Sequence, residues 1–542
     1  MTPQATITIS TADRAEVDRN VYGHFLESAF FGNIEGGVFD EDSPHAVTGQ
    51  GALDGCRVDV IDACRELGLP IVRWPGGNFT SAYWWRDGTG PRDRRPRRLE
   101  LAWGSEESNR FGTPEFLAWI EAVSTPETPT SAYLHHSARS VEDAVRWVEY
   151  TNYAGTTEMT DLRAADGHPD PYGVRWWGIG NEVYGPWQMG HRSVERYVED
   201  AREHVRFMRA VDADLRFIAC GWEKEAYTDT LIAGLGAQVQ AVSLHLYGLD
   251  HHLSDPSTAE FDDVVAQSVY FEQTISEYSD EILFAAERAH LDSAPSIAMD
   301  EWNNRHMESV ELAEPVPAPR GGFEPRGTGA VEDRKRVNRH SPRTLADALM
   351  YSGVFHAIHR AAGRDVPVTM ANAVNLINAN GILQVRPDGV LRTPVLHIWN
   401  LYQNLFQPLA VRSEVTAPAT WRQLRLGSEH QDSRGFPRRT RPAAVSLLDV
   451  SSSVSHDGRI LTLAVINSSA TEAITARLGR DDGDLPGTAA CHDLGADAAD
   501  LFATNTLDEP GTCALRARGD VSLEDGTYTF PAHSVTLLTF AL

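Results

Sequence analysis

The stretch Arg175-Trp176-Trp177-Gly178-Ile179-Gly180-Asn181-Glu182 narrows the possible folds more than any other part of the chain. It runs apolar and aromatic, then stops on Gly-Asn-Glu, which is how a strand buried on both faces ends at the mouth of a parallel β/α barrel. A second such strand, Ile297-Ala298-Met299, ends on Asp300-Glu301-Trp302-Asn303. Helical and extended patterns alternate around these two. Residues 21–25 read as the first strand and lead to Glu27. A helix over 57–68, closed by Gly68, precedes a strand at 69–74, and Pro75-Gly76-Gly77-Asn78 then turns sharply and places Asn78 at the mouth. Residues 131–134, 215–220, 241–247 and 367–371 supply strands three, five, six and eight, with helices expected over 141–152, 193–211 and 344–361.

From about residue 400 the rhythm changes to short strands between Gly, Asp and Ser turns, at 444–448, 460–466, 473–478 and 535–541. That pattern predicts an antiparallel β-sandwich, which the alternating N-terminal segment 5–9 is expected to join. The predicted fold class is α/β: a (β/α)8 TIM barrel over 17–398 with a jelly-roll-like C-terminal antiparallel β-sandwich domain built from 1–16 plus 399–542. A Pro-, Gly- and Arg-rich segment, 311–342, reads as a long loop after the seventh strand, either shaping the site or forming a surface insertion.

A chain of 542 residues is too long for one ordinary core. Its formal net charge of −28 argues against nucleic acid or an anionic membrane as partner and suits an uncharged substrate. The start lacks a basic, apolar leader, and no run approaches the roughly 20 apolar residues of a membrane span. Cys56, Cys64, Cys220, Cys491 and Cys513 are scattered without metal-type spacing and read as reduced, buried thiols of a cytoplasmic protein. Adjacent His135 and His136 rarely both face one ion, so no metal is expected, and no other cofactor. Arg92, Arg94, Arg95, Arg97 and Arg98 lie in a long loop over 86–110 and read as a solvated loop or a subunit contact.

Two strand-end carboxylates aimed into one barrel mouth form the pair a glycosidase needs: one protonates the leaving oxygen while the other attacks the anomeric carbon. Glu182 and Glu301 are the candidates. The acid must keep its proton, and Trp176, Trp177 and Trp187 are expected to lower the polarity around Glu182. The nucleophile must stay ionised, and Arg73 is placed to supply its positive neighbour. Strand alternation expects only one of Asp300 and Glu301 to face the sugar. Glu27 is a sugar ligand or a solvated loop carboxylate, and Trp103 stacks on a sugar face or packs in the core. His245 and Tyr247 stand at the sixth strand's end, in register with Glu182 and Glu301.

Together, Arg-Trp-Pro-Gly-Gly-Asn, Gly-Asn-Glu, His-Leu-Tyr and Asp-Glu-Trp-Asn, in this order and at barrel spacing, resemble the α-L-arabinofuranosidases of glycoside hydrolase family fifty-one, a retaining family of the barrel clan. The resemblance implies Glu182 as general acid/base and Glu301 as nucleophile. It implies Asn181 on the sugar 2-hydroxyl, Glu27 and Asn78 on the furanose hydroxyls, Tyr247 beside the nucleophile, and Trp103 towards the leaving group. It also implies exo action on arabinofuranose-containing oligosaccharides, metal independence, an intracellular location and a homo-oligomer, often a hexamer.

Three positions depart from the family pattern. Ser28 follows Glu27 where the family usually has histidine, and Asn304-Arg305-His306 replace Val-Trp-Tyr, removing an aromatic contact to the leaving group. Asn375 stands where the family presents a glutamine near the sugar; the shorter amide leaves room for a bulkier furanose, β-D-galactofuranose being the natural candidate. The alternatives are therefore a β-D-galactofuranosidase or an endo-acting glucanase on the same site. From another class, the alternative is a carbohydrate-binding protein without catalysis, against which the two intact carboxylates argue.

Overall fold

The computed structural model describes residues 4–28, 32–251, 257–306, 343–425, 427 and 441–542. The 311–342 loop lies outside them.

Eight parallel strands close into a barrel: β1 (Gly23–Phe25), β2 (Ile71–Trp74), β3 (Ser131–His136), β4 (Trp176–Ile179), β5 (Arg216–Ala219), β6 (Ala241–His251), β7 (Ser296–His306) and β8 (Val368–Ala373). Each pairs with its sequence neighbours, and β8 returns to β1. The floor of the barrel is filled by Ile71, Tyr133, Ile218, Ala241, Ala298 and Met370. Because strand side chains alternate with period two, Arg73 and His135 follow Ile71 and Tyr133 towards the interior one layer higher. Val72, Trp74 and Trp177 pack outward against the helices. Gly178 takes an inward position of β4, where an added Cβ would come within 2.6 Å of Tyr133 Oη and 2.8 Å of His135 Nδ1. The glycine in Trp-Trp-Gly-Ile is therefore required by packing.

The loop over 86–110 carries a short hairpin, Arg98–Glu100 with Ser105–Glu107. Two of its arginines turn inward instead of outward: Arg92 and Arg95 both close on the buried Glu115 at 3.0 and 2.9 Å. A hairpin (Leu383–Arg386 with Gly389–Arg392) and the helix Pro394–Asn404 follow β8.

Outside the barrel, nine strands form one sheet in which Ala5–Glu16 lies between Leu409–Thr416 and Ile474–Arg480. Its pairing with Ile474–Arg480 is parallel, a departure from the all-antiparallel expectation. Ile7, Ile9, Val450, Leu463, Leu538 and Phe540 belong to the core these strands share. The helix Leu345–Ala361 joins the two units, with Arg360 Nη1 2.8 Å from Asp449 Oδ1 and His359 Nδ1 3.1 Å from Ser451 Oγ. The fold is thus a TIM barrel with a mainly antiparallel sandwich domain. All five cysteines are buried free thiols. Among the described residues no helix is long and apolar enough to cross a membrane.

Candidate active site

The site lies at the C-terminal ends of the strands, where barrel enzymes gather their polar groups. After β4 the chain passes through Gly180 (φ +85°) and reaches Glu182 with φ +42°, a left-handed conformation uncommon for a side-chain-bearing residue. Hydrogen bonds from Gly185 N to Glu182 O (2.7 Å) and from Arg192 N to Val183 O (2.9 Å) hold this turn and aim the carboxylate into the mouth. Glu182 Oε2 accepts from Trp187 Nε1 at 2.7 Å, and Oε1 lies 3.1 Å from His245 Nδ1. Trp187 alone of the three expected tryptophans meets Glu182 there. Trp177 points outward, its Nε1 donating to Val174 O, and Trp176 stacks under Arg216 at the strand's other end.

On β7 the alternation argument fails, for a visible reason. The register shifts between Ala298 and Glu301 against β6, and between Met299 and Trp302 against β8. Such an irregularity re-aims side chains, so Asp300 and Glu301 both face the interior at different depths. Asp300, fully buried, accepts from Arg73 Nη1 (3.1 Å) and Tyr133 Oη (2.8 Å). Glu301 lines the pocket: Oε2 accepts from Tyr247 Oη at 2.9 Å and Oε1 lies 3.3 Å from Arg73 Nη2. Arg73 also donates to Asn181 Oδ1 at 2.6 Å, tying the Gly-Asn-Glu turn to β2. Burial disfavours the Arg73 charge, but Asp300 and Glu301 more than offset that and hold the guanidinium firmly protonated. Burial likewise opposes ionisation of Asp300, yet Arg73 and His245 keep its carboxyl well below the usual carboxylate range.

His245 is placed differently from a sugar ligand. It does not line the pocket. Its Nδ1 lies 3.1 Å from Glu182 and 3.4 Å from Glu301, and its Nε2 3.5 Å from Asp300. Both ring nitrogens face carboxylate oxygens, so both carry protons. Burial pulls the imidazole pKa down, but Glu301, Asp300 and Glu182 overcome this and push it up to about 10. One ligand atom each from Glu182, His245 and Glu301 fall within 4.8 Å of one another. A small cation would suit these atoms, and the imidazolium already supplies a positive charge there. The two histidines at the end of β3 diverge, His135 Nε2 to Gly180 O (3.0 Å) and His136 Nε2 to Asp143 (3.2 Å).

The pocket has about 620 Å³ of empty space including its open mouth. Glu27, Asn78, Trp103, Tyr247 and Asn375 line it beside the glutamate pair. Glu27 is buried, not solvated: its Oε1 accepts from Phe79 N (2.9 Å) and Trp103 Nε1 (3.1 Å). Burial pushes its pKa up to about 8, with Glu301 and Glu100 adding to the shift against those two hydrogen bonds. Trp103 is therefore both packed and part of the wall. Asn181 Nδ2 reaches Asn78 Oδ1 at 3.5 Å. Asn375 donates to Ala379 O at 2.8 Å, and its buried Oδ1 has no protein partner among the described residues. Arg305, singled out in the sequence only as a lost aromatic, lines the pocket with its guanidinium 4.3 Å over the Tyr247 ring. Phe25 and Asn380 line the wall without a sequence signal of their own, and Asn303, which closes the Asp-Glu-Trp-Asn motif, lines it too, its Oδ1 accepting from Arg343 Nη2 at 2.8 Å.

Comparison with known proteins agrees with this geometry. Residues 63–265 match a family model described as "Alpha-L-arabinofuranosidase 1 domain", and residues 300–534 one described as "Alpha-L-arabinofuranosidase C-terminal domain". The chain is 31% identical over 520 residues to an intracellular exo-α-(1→5)-L-arabinofuranosidase of Streptomyces lividans, covering 95% of this chain and 71% of that one. It is 29% identical to an exo-α-(1→6)-L-arabinofuranosidase of Bifidobacterium longum, covering 95% and 92%. The family 51 α-L-arabinofuranosidase of Thermotoga petrophila superposes with a TM-score of 0.81 at 26% identity, covering 99% of both chains. With a barrel that carries two strand-end glutamates and relatives of this kind along its length, the chain belongs to the α-L-arabinofuranosidases of glycoside hydrolase family 51.

Proposed function

We propose that this chain is an exo-acting, retaining α-L-arabinofuranosidase, with residues 17–398 as the catalytic barrel and 1–16 plus 399–542 as the sandwich domain. The observation that carries the reading is the short gap between the glutamates: oxygens of Glu182 and Glu301 lie within 4.8 Å, with His245 Nδ1 between them. Retaining enzymes keep their two carboxyl groups about 5–5.5 Å apart, whereas inverting ones need about 6.5–9.5 Å to admit water. Glu182 gives its proton to the glycosidic oxygen while a Glu301 oxygen bonds to the anomeric carbon and the C–O bond breaks. Water then attacks that carbon, returning its proton to Glu182 and freeing Glu301. Arg73 and Tyr247 hold the Glu301 side chain in place, and His245 acts as a charged spacer. Glu27, Asn78, Asn181, Trp103 and Asn375 bind the furanose.

The test is initial rates on aryl α-L-arabinofuranoside and aryl β-D-galactofuranoside for wild type, Glu182→Ala and Glu301→Ala. The reading expects arabinofuranoside to be cleaved, Glu301→Ala to be inactive, and Glu182→Ala to keep activity only with a good leaving group. No cleavage by wild type refutes it. A second reading, β-D-galactofuranosidase, is favoured by the unpartnered Asn375 Oδ1 in the pocket wall, an acceptor suited to an extra hydroxyl. Poor rates on galactofuranoside beside good ones on arabinofuranoside sink it. The names of the Streptomyces lividans and Bacillus subtilis relatives support an intracellular location. Family resemblance supports a homo-oligomer, a hexamer in particular, which light scattering would test.

A further inference from the structure

Trp84 and Trp85 are adjacent but do opposite things. Trp85 is fully buried, stacked on Trp147 (centroids 5.9 Å apart, planes 2° apart), and its Nε1 donates to Asp143 O at 3.1 Å. That anchor fixes the backbone and turns Trp84 outward, where the indole is 50% exposed. Exposure does not leave it loose: the Arg139 guanidinium carbon lies 3.1 Å from its ring centroid. Arg139 is half-buried, so one indole face is pinned to the protein. A large apolar ring held rigidly at a barrel's functional end, in a chain of net charge −28, is a feature that calls for a ligand.

Its place relative to the glutamates is set by hydrogen bonds. Trp84 follows the 3-10 turn Asn78–Ala82, whose first residue lines the pocket. Ser81 Oγ in that turn meets Ser137 Oγ at 3.1 Å, and Ser137 Oγ accepts from Asn181 N at 2.9 Å. Ser81 Oγ also accepts from Gln188 Nε2, in the loop that carries Trp187 against Glu182. Arg139 lies two residues beyond Ser137. The Trp84–Arg139 pair therefore belongs to the Glu182 side of the mouth, outside the pocket itself. In a retaining glycosidase that is the side on which the leaving group departs.

We propose that Trp84, backed by Arg139, is a secondary saccharide platform: it stacks on the oligosaccharide chain from which the terminal furanose is removed. This rests on the arabinofuranosidase reading. Covering part of an indole face strengthens binding roughly tenfold, and only for substrates long enough to reach it.

The experiment compares wild type, Trp84→Ala and Trp84→Phe on aryl α-L-arabinofuranoside and on a linear arabinofuranosyl oligosaccharide. Expected is an aryl kcat/KM within twofold of wild type for both variants. The oligosaccharide kcat/KM falls about tenfold in Trp84→Ala, through KM, and is partly restored in Trp84→Phe. An unchanged oligosaccharide rate overturns the proposal, as does a parallel fall on both substrates. Calorimetric titration of the same oligosaccharide into Glu301→Gln, with and without Trp84→Ala, separates this from failure of the catalytic reading: a Kd that Trp84→Ala leaves unchanged refutes the platform even if no substrate is turned over. Loss of an oligomer on light scattering of Trp84→Ala assigns the ring to a second copy of the chain instead and likewise overturns the proposal.

Discussion

Gly77 offers the sharpest test of how Glu301, the proposed nucleophile, is seated. A Cβ at this position would lie 2.6 Å from Glu301 Oε1, where ordinary contact begins near 3.4 Å. In Gly77→Ala the carboxylate must retreat by roughly 0.8 Å, and a misplacement of about 1 Å at a reacting group costs on the order of a hundredfold in rate. The retreat also disturbs both contacts that hold the side chain, from Arg73 Nη2 at 3.3 Å and from Tyr247 Oη at 2.9 Å. The expected loss in kcat is therefore roughly hundredfold, or about 2.7 kcal/mol in the barrier. Some stability should be lost as well, because the methyl meets Glu301 and Phe25 Cζ (3.6 Å) and the Gly77 backbone (φ −98°, ψ −101°) lies outside the regions favoured by side-chain-bearing residues. The assay is kcat on an aryl α-L-arabinofuranoside beside a thermal melt. A kcat within threefold of wild type at unchanged Tm would refute the reasoning, because the side chain would then have a second productive position.

Three further substitutions probe the charges. His245 has its pKa raised to about 10 in the fold, so its contribution to stability is complete below about pH 6.5 and is lost as pH rises through 10; the gap in urea midpoint between wild type and His245→Gln should shrink between pH 7 and 10.5, and nitrogen-15 NMR should find both ring nitrogens protonated at pH 7. Glu27, raised to about 8, stabilises the fold below about pH 4.5 and loses that contribution as pH climbs through 8; Glu27→Gln should gain on wild type between pH 5 and 9, and parallel stability curves would count against the buried acid. Arg73→Met leaves Asp300 buried beside an apolar chain and should destabilise by roughly 3–5 kcal/mol in urea unfolding.

Much of the architecture was legible because several barrel strands are apolar runs that end on polar residues, and because turn chemistry such as Pro75-Gly76-Gly77 marks where a strand must leave the barrel. The glutamates were legible for the same reason: Glu182 and Glu301 stand just past such runs. What period-two reasoning could not supply was a break in the period. The register shift on β7 brings both Asp300 and Glu301 inward, and no residue type announces it. The position of His245 was visible but its task was not, since three carboxylates on two other strands define that task. Arg305 was read as an absence of aromatic side chain, whereas the tyrosine it covers is itself a site residue. Arg92 and Arg95 look solvated until Glu115, on a later helix, folds beneath them. The parallel pair inside the sandwich sheet depends on the N-terminal strand lying beside Ile474–Arg480, a long-range pairing without local signature.

The roles proposed for the two glutamates fit the neighbours each one has. Two buried cations, Arg73 and the His245 imidazolium, face three carboxylates, and Glu27 is held off ionisation by its burial. Arg73 contacts Asp300 and Glu301 directly. Glu182 instead meets Trp187 Nε1 at 2.7 Å and His245 Nδ1 at 3.1 Å. In the proposed mechanism the nucleophile is the carboxylate the Arg73 guanidinium reaches. Azide tests this directly. In Glu182→Ala it should attack the glycosyl-enzyme and release an azide of retained configuration, while in Glu301→Ala it replaces the missing carboxylate and gives the inverted azide. The opposite pairing of variant and configuration would exchange the two roles and show that Arg73 serves to hold Asp300 alone.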